Sequence, residues 1–120
     1  YAPQKPLIVV ENRKAFEEAV SELSKKVKIV ALCSKEECSK LPNDVPKIEL
    51  GSEENLYEVA RNLFDSFRRV DKTDAQLALI HSFPERGIGL AIMNRTRKAS
   101  GFKIAKTVEE VFKLAGLQVH

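Results

Sequence analysis

What this sequence lacks narrows its function before any motif is read. It has no tryptophan and only eight aromatic residues, two tyrosines and six phenylalanines, so it offers little stacking surface to single-stranded nucleic acid. No apolar run approaches the roughly 18–20 residues that a membrane-spanning helix needs. Cationic and acidic side chains number 20 and 17, and a net charge of +3 with interspersed signs is too mild to imply nucleic-acid binding. There are two cysteines, Cys33 and Cys38, spaced C-x4-C without a second pair or a nearby histidine. Zinc wants four ligands, so no metal site is expected. A short-loop disulfide cannot be read from spacing alone, and two free thiols in a reducing cytoplasm are the expectation. The chain begins Tyr1-Ala2-Pro3-Gln4-Lys5-Pro6, without methionine, a basic n-region or an apolar h-region, and so does not read as a signal peptide. Its two prolines favour an extended segment, which reads as the end of a linker, with a processed start as the alternative.

What is present has the composition of a folded domain: 43% hydrophobic and 31% charged residues over 120 positions. That length is enough for one core without a metal or disulfide staple. Short β-rich runs alternate with amphipathic stretches. Leu7–Val10, Val27–Leu32, Lys47–Leu50 and Leu77–Ile80 read as strands, the apolar ones as strands covered on both faces. Asn12 is expected to cap a helix carrying Phe16, Ala19, Val20 and Leu23 at i, i+3, i+4 and i+7. Ser52 is expected to cap the longest helix, with Glu53 and Glu54 at its positive end and Leu56, Val59, Ala60, Leu63, Phe67 and Val70 inward. A further helix follows Ser82–Gly89, with Ala91, Ile92 and Ala99 inward and Gly101 as its left-handed stop. Lys103–Ala105 reads as a short edge strand, and Thr107 with Glu110 as a capping box opening a last helix that ends at Gly116. The pattern predicts an α/β/α three-layer sandwich, Rossmann-like, with a mostly parallel sheet of four or five strands.

Ligands in such sheets bind at the carboxyl ends of the strands. Here those ends carry Glu11-Asn12, Cys33-Ser34, Gly51-Ser52 and His81-Ser82. No G-x-G-x-x-G follows the first strand and no G-x-x-x-x-G-K-[ST] occurs, which argues against dinucleotide and P-loop chemistry. A single Glu11 does not supply the paired acids of a phospho-receiver. His81 and Ser82 are neighbours on opposite faces and lack the G-x-S-x-G turn, so His81 reads as a structural histidine rather than a catalytic base. His120, at the chain terminus, is a poor catalytic candidate. Arg86-Gly87-Ile88-Gly89 at a helix start could hold a phosphate or carboxylate, or the glycines could serve a tight turn and close packing. Asn94, Arg95, Arg97 and Lys98 make a basic face on the same helix, solvated or turned toward an acidic partner.

Two long motifs carry a resemblance. Ala60-Arg61-Asn62-Leu63-Phe64-Asp65-Ser66-Phe67-Arg68-Arg69-Val70-Asp71 and Gly87-Ile88-Gly89-Leu90-Ala91-Ile92-Met93-Asn94-Arg95-Thr96-Arg97-Lys98-Ala99 follow the patterns A-x-N-L-F-x-x-L-R-x-x-D and G-x-G-x-A-[IV]-x-[DN]-R-[LI]-x-[KR]-A. Together with the opening Tyr1-Ala2-Pro3, they make the chain resemble the C-terminal domain of the Sua-five threonylcarbamoyl-AMP synthases, whose linker ends H-Y-[AS]-P. Phe67 and Thr96 depart from the patterns at core-type positions. The resemblance implies that residues 1–6 end an interdomain linker and 7–120 form a Rossmann-like accessory domain, inactive by itself. It implies a catalytic YrdC-like domain as partner, which condenses ATP, L-threonine and bicarbonate into threonylcarbamoyl-adenylate and pyrophosphate for t6A modification of tRNA in the cytoplasm. ATP and Mg2+ would then belong to the parent enzyme, with no cofactor in this chain and no direct contact with nucleic acid or membrane. Tyr1 is the position implied to touch ATP. Gly87, Gly89, Asn94 and Arg95 match the signature and either bind or build. The alternative is an autonomous phosphate- or nucleotide-binding or interaction module using Arg86, Gly87 and Gly89.

Overall fold

A computed structural model of the chain describes residues 1–118. The expectation for His120 lies outside the described residues. Ten elements alternate along the chain: β1 (Leu7–Val10), α1 (Arg13–Leu23), β2 (Ile29–Cys33), α2 (Lys35–Cys38), β3 (Lys47–Glu49), α3 (Leu56–Asp71), β4 (Leu77–His81), α4 (Ile88–Ala99), β5 (Ile104–Ala105) and α5 (Val108–Leu114). The five strands form one sheet in the order β3-β2-β4-β1-β5, every pairing parallel. Each connection therefore passes through a helix, as parallel pairing requires.

The continuous apolar strands are explained by two covered faces. Ile8, Val10, Ala31 and Leu79 pack with Phe16, Val20 and Leu23 of α1 and with Val111 and Phe112 of α5. Leu7, Val9, Val30, Leu32 and Ile80 point the other way, into Val59, Leu63 and Phe67 of α3 and Ile92 and Met93 of α4. Phe16 and Phe67 are fully buried, one on each side. Full burial of a side chain of that size contributes about 3 kcal/mol on either side.

Local capping follows the sequence in most places. Asn12 Oδ1 accepts from the Ala15 amide, and Thr107 with Glu110 forms a reciprocal capping box. Gly101 and Gly116 take the left-handed conformations that stop α4 and α5. Four details differ from expectation. Strand β2 begins at Ile29 rather than Val27. The segment between the cysteines coils into the short helix α2 instead of an open loop. On α4 the buried residues are Gly89, Ile92, Met93 and Thr96, while Ala91 and Ala99 are half-buried. Finally, α3 starts after Asn55, which makes no side-chain capping bond, rather than after Ser52, because Ser52 and Glu53 make other bonds. Ser52 Oγ donates to Glu36, and Glu53 is held by Arg13 and Ser34.

Candidate functional site at the two ends of the strands

The carboxyl ends of the strands carry a polar cluster, and its groups are bonded to one another. Arg13, at the start of α1, reaches Glu37 at 3.1 Å, Glu53 at 2.9 and 3.2 Å, and the Ser82 carbonyl at 3.2 Å. These bonds raise the guanidinium's pKa against the opposing effect of its partial burial. Ser34 Oγ caps α2 by accepting from the Glu37 amide and donates to Glu53 Oε2 at 2.5 Å. Arg13 and Ser34 hold the Glu53 carboxyl below the usual carboxylate range, although its partial burial acts the other way. Glu37 is fully buried, and burial together with the neighbouring Glu17 pushes its carboxyl up to about 7, opposed by Arg13. At the same edge Arg97 of α4 binds Glu11 at 2.8 and 3.2 Å and also pairs with Glu85.

His81 ends β4 inside this cluster, packed edge-on against Phe16 with ring centroids 5.1 Å apart. Its Nε2 accepts from the Ser34 amide at 3.0 Å, which places the proton on Nδ1, 2.9 Å from the Ser82 carbonyl. Burial, with Arg13 nearby, lowers its pKa to about 4. The imidazole is neutral and its lone pair is already used, so it has no basicity to offer a nucleophile. The structural reading of His81 agrees with this geometry.

The Arg86–Gly89 turn opens α4 at this edge. Gly87 takes φ +59°, which favours glycine, and a Cβ at Gly89 would stand 1.9 Å from the Pro84 carbonyl oxygen. The Gly89 and Leu90 amides already donate to the Arg86 and Gly87 carbonyls. The backbone thus gives each glycine a structural reason, while Arg86 is exposed.

A different arrangement occurs at the amino ends of the strands, where Tyr1 lies. Tyr1 Oη donates to Asp71 Oδ2 at 3.0 Å, and the Gln4 and Lys5 amides donate to the same carboxylate at 3.0 and 3.2 Å. These three donors hold Asp71 below the ordinary aspartate value. Lys5 Nζ donates to the Thr73 carbonyl. The Arg68 guanidinium lies 5.2 Å from the Tyr1 ring centroid, and Arg95 lies 6.0 Å from that of Phe64. Tyr1, Ala2, Phe64, Arg95, Lys98 and Ala99 line a cleft of about 290 Å³. Among the described residues, neither Arg95 nor Lys98 is ion-paired.

The candidate residues therefore separate. Tyr1 and Arg95 share one cleft, whereas Arg86, Gly87 and Gly89 sit at the other end of α4, whose 12 residues rise about 18 Å. Asn94 is exposed between them. Phe64, Arg68 and Asp71 were not singled out from the sequence as site residues. The signal was there: at i, i+4 and i+7 they share one face of α3, and all three lie within the first long motif.

The comparisons with known proteins fit this picture. The family described as "Threonylcarbamoyl-AMP synthase, C-terminal domain" matches residues 1–101. The chain belongs to that family. It is 37% identical over 115 residues to a threonylcarbamoyl-AMP synthase of Pyrococcus abyssi, covering 88% of this chain and 31% of that protein. Against the Bacillus subtilis enzyme it is 30% identical over 107 residues, with the same coverage of each. The chain thus spans about a third of the length of these relatives. A crystal structure of the P. abyssi Sua5 protein complexed with L-threonine superposes with a TM-score of 0.73 at 35% identity, over 89% of this chain and 31% of that one. A C-terminal Sua5 domain from Pyrococcus horikoshii superposes with a TM-score of 0.62 at 36% identity, over 88% of this chain and all of that one. The α/β architecture and its parallel sheet are those of the family. Both departures at core-type positions are buried, Phe67 entirely and Thr96 almost so.

One expectation is overturned. Cys33 and Cys38 are joined in a disulfide rather than free, with Cα atoms 5.4 Å apart. Helix α2 turns the chain back so that the end of β2 and the end of α2 meet, a closure the bare spacing does not reveal.

Proposed function

We propose that residues 7–120 act as the accessory C-terminal domain of a threonylcarbamoyl-AMP synthase, with residues 1–6 as the end of the interdomain linker, and that the chain by itself is inactive. The observation that carries this reading is the cradle around Tyr1. Asp71 gathers one side-chain and two backbone donors of residues 1–5, so the direction in which the linker leaves is fixed by the end of α3. A catalytic YrdC-like domain on the far side of that linker would have its nucleotide pocket positioned through Tyr1, which we assign to contact ATP there. ATP, L-threonine and bicarbonate are then substrates of the partner domain, and the product serves t6A modification of tRNA in the cytoplasm.

Magnesium, implied by the family's chemistry, is assigned in this reading to the partner domain together with ATP. Among the described residues no group of three or more His, Cys, Asp or Glu side chains could hold a metal ion. Gly87 and Gly89 build the domain in this reading, Arg95 helps line the cradle, and Asn94 is given no role. Among the described residues no helix is long and apolar enough to cross a membrane.

The test is pyrophosphate release from ATP, L-threonine and bicarbonate by a two-domain parent enzyme carrying this domain. Tyr1→Ala is expected to raise the KM for ATP, and Tyr1→Phe to retain most of the ring's contribution. A parent enzyme indifferent to Tyr1→Ala would overturn the assignment.

A further inference from the structure

The disulfide lies at the hub of the strand-end cluster. Cys33 closes β2 and is fully buried, whereas Cys38 ends α2 and is partly exposed. Between them α2 carries the two carboxylates that tie neighbouring elements to this edge. Glu36 accepts from Ser52 Oγ at 2.7 Å and from the Glu53 amide at 2.9 Å, and Glu37 accepts from Arg13. The crosslink therefore clasps the segment on which the β3–α3 loop and the start of α1 are anchored.

Both redox states fit the same frame. Cys38 Sγ lies 3.4 Å from the Cys33 carbonyl oxygen and Cys33 Sγ 3.8 Å from that of Ala31. Thiols formed by reduction would find these weak hydrogen-bond acceptors already in reach. Access, in contrast, is one-sided, and exchange chemistry depends on which sulfur can be attacked.

We propose that Cys33–Cys38 is a reducible clasp, a modification site whose reaction partner is a dithiol and whose state sets how firmly α2 holds the β3–α3 loop. A dithiol's thiolate attacks Cys38 Sγ. The S–S bond breaks, and its electron pair leaves on Cys33 Sγ, which takes up a proton. The second thiolate then attacks the mixed disulfide, releasing Cys38 as a thiolate that is protonated and closing the dithiol into its oxidised ring. Two electrons and two protons pass to the protein.

The probe is dithiothreitol, with maleimide trapping and amide hydrogen exchange on the folded 120-residue chain. When each sample is denatured for trapping, no thiol is expected before reduction and two after it, released in a single two-electron step. A monothiol, glutathione, should form its mixed disulfide at Cys38 rather than Cys33. Reduction should speed exchange of the Glu53 amide, which donates to Glu36, by about tenfold. The Ser52 amide, which donates to Glu58, should change little. The double variant Cys33→Ala/Cys38→Ala should show the reduced-state exchange without reductant. Thiols already free in the untreated chain, resistance of the bond until the chain unfolds, or reduction that leaves Glu53 exchange unchanged would each overturn the proposal.

Discussion

The two edges of the sheet differ in what they leave unpaired. At the carboxyl ends, Arg13, Arg97, Ser34, His81 and Glu53 all find partners within the chain, and Arg86 alone of the candidate residues there stays exposed. At the amino ends, Phe64 is exposed, Arg95 and Lys98 carry no ion pair among the described residues, and Tyr1 rests on Asp71 and Arg68. In a parallel α/β sheet the first edge is where ligands usually bind. Here that edge is largely closed by its own charges, and Tyr1, the α3 motif and Arg95 of the α4 motif meet at the other one.

The harshest way to break the closed edge is Gly89→Ala. Its Cβ would meet the Pro84 carbonyl oxygen at 1.9 Å, so the turn or α4 must shift. A loss of about 2–4 kcal/mol is expected, read by urea denaturation.

Next in size is a pH effect within the same cluster. The Glu37 pKa is raised from 4.5 to about 7, so its contribution to stability is fully present below 4.5 and is lost as pH rises through 7. The His81 pKa is lowered from 6.5 to about 4, so its contribution is fully present above 6.5 and is lost as pH falls through 4. Between 4.5 and 6.5 these two slopes oppose and stability is expected to be nearly flat. Glu37→Gln removes one of them, and its stability should rise with pH across that window. Denaturation midpoints at several pH values check this. A flat profile in the variant would remove the opposing pair from the explanation.

How much of this was legible in the sequence depended on the range of the interaction. Periodicity placed the helices and the uniformly apolar strands, because covering by layers on both sides leaves a local signature at Leu7–Val10 and Leu77–Ile80. The shift of the α3 cap from Ser52 to Asn55 was not legible. Ser52 is a suitable cap in isolation, and only the fold brings Glu36, 16 residues away, to claim it. The disulfide was hidden for the same reason. The cradle around Tyr1 was half visible: Tyr1, Arg95 and the α3 motif were each recognisable, but contacts such as Tyr1 with Asp71, 70 residues apart, were not.

A smaller effect is expected along α4, which joins the two edges. Thr96 stands where the family pattern has Leu or Ile, and its buried Oγ1 has no hydrogen-bond partner among the described residues. Thr96→Val keeps the shape and removes the orphaned hydroxyl, and should stabilise the chain by about 1 kcal/mol in thermal or urea unfolding.

The smallest effect on stability, and the most direct on the comparison, belongs to Asp71. Its bonds to residues 1–5 are largely exposed, so Asp71→Ala should change global stability by less than about 1 kcal/mol. What it should change is the opening segment: amide exchange at Gln4 and Lys5 is expected to quicken by about tenfold, while Glu37→Gln, at the other edge, leaves both amides as they were. If Gln4 and Lys5 exchange equally fast with and without the Asp71 carboxylate, the cradle does not hold residues 1–5 and the division between the two edges is wrong.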